Sequence, residues 1–594
     1  MAPCATSAFT ADVTEPVGEP VLEPPTLYSL GVYWIIHGDE GKSARVEVEY
    51  RAVRQSQTRT AAASSRPGDH APSNPDPWKR GANLFRVEKL SRQLAKHESS
   101  IEVPSGAWLF AGSLVMLEPD TEYELRLRLV APEDRGAVKA VEKTLKARTL
   151  AEPAIPADAP RYHVVPGSGG GKGTAVAPYE GLAEAQASAK PGDVFLVHKG
   201  TYTGPFNVTT SGRAGKPIVW MAAGDGEALI DGRDRTNGIE AREVSDVWFE
   251  GLTIRNAKIG LVANESANVV IRRCCFEGCP SAIWCTTNKS GKVKGFLISD
   301  NVLEGTHKWT EEKGANVAED RGIQITGIGH VICYNRVRGF KDGIDTFPSR
   351  ECSAIDIHNN DVSECLDDGC EMDYSERNTR NFCNRYTNVF QGVSVQPVYG
   401  GPVYVFRNVL YNVCVEPFKM HNSPSGAIFY HNTVVKAGEP LLLWTTAPVH
   451  NCVYRNNLFI GTSGSCAYDC SPQMVDCDFD YDGFGGGPWT NFLNWNKATY
   501  RTLNEAKARS GIYRHAVLVD PEMVFASGIK PPSSSKEQFD PGKIDLRLKE
   551  GCGAIDKGEV LPGFNDGYAG KAPDLGACEL GTELPHYGPR LQKK

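Results

Sequence analysis

From Leu27 to about Leu150, apolar and polar residues alternate in short runs (SLGVYW, ARVEVEYRAV, YELRLRLVA), the period of strands with one buried face. Residues 1–26 are rich in Pro, Glu and Ala without periodicity and read as a disordered tail. The stretch 54–79 is polar, carries prolines and reads as a long loop. AEPAIPADAP (151–160) is a linker, and the texture changes after it. PGDVFLVHKGTYTGPFNV and AGKPIVWMAAGDGEALIDG are short strands between turns, and beyond them a repeat takes over. Asn335, Asn360, Asn384, Asn408, Asn432 and Asn456 stand 25, 24, 24, 24 and 24 residues apart, with Asn301 opening the series. They sit in the frames YNRV, NNDV, CNRY, RNVL, HNTV and RNNL. A period near 24 is one solenoid coil, and an Asn at the same corner of each coil can bond the Asn above and below it. The pattern predicts an all-β chain: a β-sandwich over 27–150, a right-handed parallel β-helix over 161–486, and a final coil with capping loops over 487–594.

Aligning the coils on the repeat puts GIQIT (322–326), GIDTF (343–347), GCEMD (369–373), GVSVQ (392–396), PFKMH (417–421) and PLLLW (440–444) at one strand position. Side chains alternate across a strand. Ile323/Ile325, Ile344/Thr346, Cys370/Met372, Val393/Val395, Phe418/Met420 and Leu441/Leu443 then point to the core. Two columns face outward. One is Gln324, Asp345, Glu371, Ser394, Lys419 and Leu442; the other is Thr326, Phe347, Asp373, Gln396, His421 and Trp444. A turn row of Arg321, Asp342, Asp368 (beside Asp367), Gln391, Glu416 and Glu439 lies above them. With coils ~4.8 Å apart, the acids, Lys419 and His421 are expected in one exposed patch ~10–15 Å across.

Carboxylates held this close raise one another's pKa, which is how a general acid is made near neutral pH. The same set has the oxygen chemistry of Ca²⁺ ligands, and it also fits a solvated acidic ladder with no role. Trp284, Phe347 and Trp444 face outward on these coils, and the C–H faces of sugar rings stack on aromatic rings. Tyr399, in a Gly-rich bend, and Arg380, suited to a sugar carboxylate or sulfate, are further substrate-binding candidates. So are Asp345, Asp373, Gln391, Gln396 and His421. The insertion carrying His307, Trp309, Glu311 and Glu312 reads as a wall over the groove. Tyr374 and Arg377 follow the GCEMD strand at its far turn, and His358, His431 and His450 read as structural.

Composition narrows the classes. A chain of 594 residues exceeds one ordinary core. Lys+Arg 64 against Asp+Glu 72, a net charge of −8, argues against a nucleic-acid partner. No apolar run reaches the length of a membrane helix, and MAPCATSAFT lacks the charged and apolar regions of a signal peptide. Of 17 cysteines, all but Cys4 fall between Cys274 and Cys578, without zinc-ligand spacing. They are expected to be mostly buried thiols, with Cys552/Cys578 and the Cys466–Cys470–Cys477 cluster as the places for a disulfide.

Two resemblances add to this. LEPDTEYELRLRLV, with Tyr123, resembles the tyrosine corner of a fibronectin type III sandwich, and Trp34 stands where that fold places its core Trp. FKDGID, LDDG, FQG and FKMH, on successive coils, resemble the polygalacturonase family of glycoside hydrolases. That resemblance implies Asp342, Asp367 and Asp368 as catalytic carboxylates, and Lys419 and His421 as a basic pair gripping an acidic sugar. Gln391 departs from the pattern, standing where the family has His. The same residues also look like calcium-dependent pectate lyases. This second resemblance implies Ca²⁺ on Asp342, Asp367, Asp368 and Glu371, with Lys419 abstracting the proton alpha to a uronate carboxylate.

The leading expectation is a monomeric, secreted or periplasmic glycoside hydrolase that cleaves an acidic polysaccharide without a cofactor, using Asp342, Asp367, Asp368, Glu371 and Lys419. The alternatives are a Ca²⁺-dependent lyase, a uronan epimerase, and a carbohydrate-binding or adhesive β-helix without chemistry.

Overall fold

The structure is a computed structural model that describes residues 14–53, 76–88, 100–132, 138–286, 291–309, 318–346, 352–445, 447–470 and 473–591. The chain forms two compact units: Met1–Lys89 with Ile101–Pro153 and Leu561–Asp566, and Leu90–Ser100 with Ala154–Val560 and Gly567–Lys594.

The first unit holds two antiparallel sheets. One joins Glu15–Pro16, Leu30–His37, Ala107–Leu114 and Phe85–Arg86, with Val21–Leu22 also on Leu30–His37. The other joins Lys79–Arg80, Arg45–Ala52, Glu122–Pro132 and Val138–Arg148. The alternation read in the sequence puts Val32, Trp34 and Ile36 of one sheet against Val46, Val48, Leu125 and Leu127 of the other in a shared core. The Tyr123 hydroxyl accepts the Glu118 amide at 2.9 Å. One correction concerns the expected tail. Glu15 pairs with His37 and Val21 with Tyr33, so the segment from Glu15 onward edges the first sheet. Its strands are only two residues long, since proline limits how long an edge pairing can run.

The second unit is a parallel β-helix. A 16-stranded sheet includes Arg161–Val165 near one end and Met474–Val475 at the other, and a 20-stranded sheet runs from Gly200–Thr203 to Val517–Val519. Inside, Phe195, Trp220, Phe249, Ile271, Ile298, Ile332 and Ile357 stack along one wall, each in register with the next and fully buried. Pairing continues past residue 486, because Trp489–Trp495 runs parallel to Gly464–Cys470 and Val517–Val519 to Gly483–Gly485. All 16 described cysteines are free thiols, so neither expected disulfide position carries a bridge. Among the described residues no helix is long and apolar enough to cross a membrane.

The asparagine repeat is a buried hydrogen-bonded ladder. Asn301, Asn335, Asn360, Asn384 and Asn408 each donate Nδ2–H to Oδ1 of the next Asn, at 2.8–3.1 Å. Each also donates to a backbone carbonyl of the preceding coil. One rung differs from the expected series. Asn432 donates to Asn457, not Asn456, and Asn457 donates to Asp482. The coil there is one residue longer, and Asn456 instead bonds the Glu559 carbonyl and His431.

Candidate active site

The site lies on the face that the coil alignment selects. Paired in register along it are Trp284, Gln324, Asp345, Glu371, Ser394 and Lys419. Arg321 pairs with Asp342 and Asp368 with Gln391 in the row above, and the Asp368 amide donates to Asp342 Oδ1 at 3.1 Å. The glycine after each acid has a steric cause. A Cβ on Gly343 would lie 2.5 Å from the Gly369 carbonyl oxygen, and one on Gly369 2.9 Å from that of Gly392. The corner therefore admits no side chain there, and the Asp-Gly pairs of the sequence mark it.

The sequence places Lys419 two coils beyond Glu371, ~10 Å by coil spacing. In the structure the ammonium reaches back over the small Ser394. Lys419 Nζ donates to Asp368 Oδ2 at 2.7 Å and lies 4.0 Å from Glu371 Oε1. On the other side, Arg321 Nε donates to Asp345 at 2.5 Å, and the guanidinium lies 3.5 Å from Asp342 and 3.1 Å from Glu319. One oxygen from each of Asp342, Asp368 and Glu371 lies within 4.8 Å of the other two.

The patch is not the exposed one the sequence predicts. Asp342, Asp345, Asp368 and Asp373 are buried, while Asp367 and Glu371 are half-buried. The acids still point away from the apolar core, but Arg321 and Lys419 lie against them, and long cationic stems cover what they pair with.

Burial sets the electrostatics. Desolvation, then Asp368, Asp367 and Asp345, push the Asp342 carboxyl well above the ordinary range. Desolvation and Asp345 do the same to Glu371. Desolvation raises Asp368 to about 6 against the pull of Lys419, and Asp373 to about 8. Asp373 Oδ1 accepts the Ser394 hydroxyl and the Gln396 amide, both at 2.7 Å. Burial opposes the charge on Lys419, but Asp368, Asp373 and Asp367 outweigh it and raise its pKa. The site therefore holds carboxyls whose protonated form is favoured beside an ammonium whose charged form is favoured.

The remaining predicted residues divide. Gln391 and Gln396 border the acids, and the Oε1 of each is buried without a hydrogen-bond partner among the described residues. His421 Nε2 meets Glu416 Oε2 at 2.9 Å. Trp444 is 68% exposed. The ladder does not carry through to it: Leu441–Leu443 belongs to a separate sheet with Gly464–Cys470. Trp284 is half-buried and donates to Thr286. Tyr399 is buried on the 16-stranded sheet, with its ring 6.2 Å from that of Tyr374. Arg380 is a correction. It is fully buried on that same sheet and paired with Asp356, so it cannot grip a substrate. Asp356 stands opposite it in register, in the column beside the one that continues from Ile357 to Asn381. His307 pairs with Asp320 at 2.9 Å, and Trp309 donates to the Glu537 carbonyl. Phe347, Glu311 and Glu312 lie outside the described residues.

Two members escaped the sequence-based site list, Arg321 and Tyr374. The first opens the turn row, and its register with Asp342 was the signal. The second, noted in the sequence only as following the GCEMD strand, has its phenol raised by burial and then by Asp373, Glu371 and Asp345.

No protein-family model and no curated protein matches the chain. Among solved structures, XylC in complex with xylose is 13% identical, over 56% of this chain and 85% of that one, with a TM-score of 0.43. The catalytic domain of a GH87 alpha-1,3-glucanase with tetrasaccharides is 12% identical, over 84% and 97%, with a TM-score of 0.30. A Family 28 exopolygalacturonase of Yersinia enterocolitica is 11% identical, over 81% and 98%, with a TM-score of 0.23. The fold rests on the strand pairings above, and these likenesses carry no argument beyond it.

Proposed function

We propose that the chain is a polysaccharide-degrading glycoside hydrolase working by paired carboxylates. The observation that carries this reading is the trio Asp342, Asp368 and Glu371, with oxygens within 4.8 Å, on an outward face with Lys419 on one member. Hydrolysis needs one carboxyl to protonate the glycosidic oxygen and another to activate water. Desolvation and Asp345 favour the protonated form of Glu371, and of the trio it alone is not fully buried, so it is the group a substrate can reach. Asp368, raised to about 6, ionises just below neutrality, which suits it to the role of the base that activates water.

The lyase reading needs Lys419 as a base. Its ammonium is instead held by Asp368 and its charged form is favoured, the opposite of what proton abstraction requires. The trio has the oxygen chemistry of a hard cation. Lys419 and Arg321 nevertheless put two positive charges where an ion would sit. The residues fit Ca²⁺ poorly, and no step is drawn through it. The acidic-glycan expectation needs Lys419 and His421 as grips, and protein carboxylates hold both.

A panel of neutral and acidic polysaccharides, with product masses measured, tests the reading. Products gaining water are expected, with turnover down about 10²–10⁴-fold in Asp368→Asn and Glu371→Gln and unchanged by chelator. Unsaturated products absorbing in the near ultraviolet and lost with chelator would establish elimination instead. Full turnover in both variants would falsify the carboxylate mechanism.

A further inference from the structure

Beside the acids, where the ladder of the 20-stranded sheet gives way to the sheet containing Leu441–Leu443, one carboxylate spans the break. Glu416 is 1% exposed, and each of its oxygens has one task. Oε1 accepts the Trp444 backbone N–H at 2.5 Å, and Oε2 meets His421 Nε2 at 2.9 Å. Trp444, anchored in this way, is the one tryptophan among the large apolar residues that the described structure leaves exposed. His421 follows Lys419 by two residues, just past the end of the strand Phe418–Lys419. A carboxylate on Nε2–H leaves Nδ1 of the neutral ring as an acceptor, open to a hydroxyl donor.

The charges nearby describe the occupant. Among the described residues, Arg321 is paired with Asp345, Lys341 with Glu319 and Lys419 with Asp368. A uronate or sulfate entering here would have to displace a protein carboxylate from its cation and would meet the remaining acids. An uncharged ring meets neither cost. It offers C–H faces to an indole and hydroxyls to an imidazole nitrogen.

We infer that Glu416 is the positioning residue of a subsite for an uncharged sugar, in which Trp444 stacks on the ring and His421 Nδ1 accepts a hydroxyl. This rests on the glycan-cleaving reading of the neighbouring acids, but binding tests it separately. Glu416 ties the backbone that carries the platform to the ring that carries the acceptor. Without it the indole and imidazole would have to be ordered by the ligand, at a cost in affinity.

The test is retardation of the full chain in affinity electrophoresis, with dextran, laminarin, xylan and galactan as neutral probes and polygalacturonate and alginate as acidic ones. Retardation by at least one neutral glycan and by neither acidic one is expected. Trp444→Ala and Glu416→Ala should each weaken it about tenfold or more, with the urea midpoint checked to show that both are folded. Glu416→Gln keeps the oxygen for Trp444 but offers an amide hydrogen to His421 Nε2. It should swap the ring to the Nδ1–H tautomer, read from its ¹⁵N shifts, and weaken binding by a smaller factor. Retardation by acidic glycans alone, by no glycan, or undiminished in Trp444→Ala and Glu416→Ala, overturns the inference. Neutral binding that survives while no product forms would instead count against the hydrolase reading and leave the subsite standing.

Discussion

Replacing Lys419 by Met keeps most of the stem and deletes the charge, so it isolates what the ammonium does for the acids. The ammonium lies 2.7 Å from Asp368 and 4.0 Å from Glu371, where a pair attracts by about 4–6 kcal/mol at an effective dielectric of about 20. Breaking a buried pair and stranding one partner costs about 3–5 kcal/mol. The stranded carboxyl has a way out, because it can take a proton. Asp368 already sits at about 6 against 3.8 for a free carboxyl, and losing a neighbouring cation raises it by a further ~1–3 pH units. A carboxyl raised on folding gives its full stability below the unfolded value and loses it as pH climbs through the folded one. In Lys419→Met that loss extends to higher pH. The variant should therefore trail the parent by about 1–3 kcal/mol more at pH 8 than at pH 5, taking 1.36 kcal/mol per unit over the one to two units that fall between pH 6 and pH 8. Urea unfolding of both proteins at the two pH values measures it. A deficit that stays the same, or shrinks, from pH 5 to pH 8 would show that Lys419 is not what holds Asp368 ionised.

Asn384→Ala removes three donated and two accepted contacts in the middle of the buried ladder. It should cost on the order of 3–5 kcal/mol in the unfolding of the solenoid, since each stranded buried group carries its own penalty. In the first unit, Tyr123→Phe removes the acceptor for the Glu118 amide and should lower stability by about 1–2 kcal/mol, read from a thermal melt of the full chain. Turnover that follows the Asp368 carboxyl as base should rise with pH through about 6, and a rate flat from pH 5 to pH 7 would remove it from that role.

The fold was legible because its signals are periodic. A solenoid coil must close on itself at nearly constant length, so Asn335 through Asn432 recur at 24 or 25 residues. Once the coils are aligned, strand alternation gives the column from Gln324 to Lys419 without further information. Where coil length changes by one residue, that reasoning slips, and Asn456 and Asn457 exchange places. Register also says nothing about reach. It put Lys419 far from Glu371, because strand spacing counts Cα positions while a lysine stem crosses a strand when the residue between is as small as Ser394. The burial of the acids was likewise hidden, since it comes from the lie of Arg321 and Lys419 rather than from any pattern in the chain. Arg380 misled for a related reason. A lone Arg reads as a surface grip until its partner Asp356 appears one coil earlier in the same sheet.

The asparagine ladder has a direction. Every rung hands its amide hydrogen toward the C-terminus, and the last receiver is Asp482, whose Oδ1 takes both the amide and the side-chain hydrogen of Asn457. A carboxyl group has no amide hydrogens to pass on, so the line of amides ends on Asp482. The chain thus writes its own stop signal into the stack. A duplicated coil grafted upstream of Asp482 would inherit a template ready to relay it, whereas one added downstream would find the relay already closed.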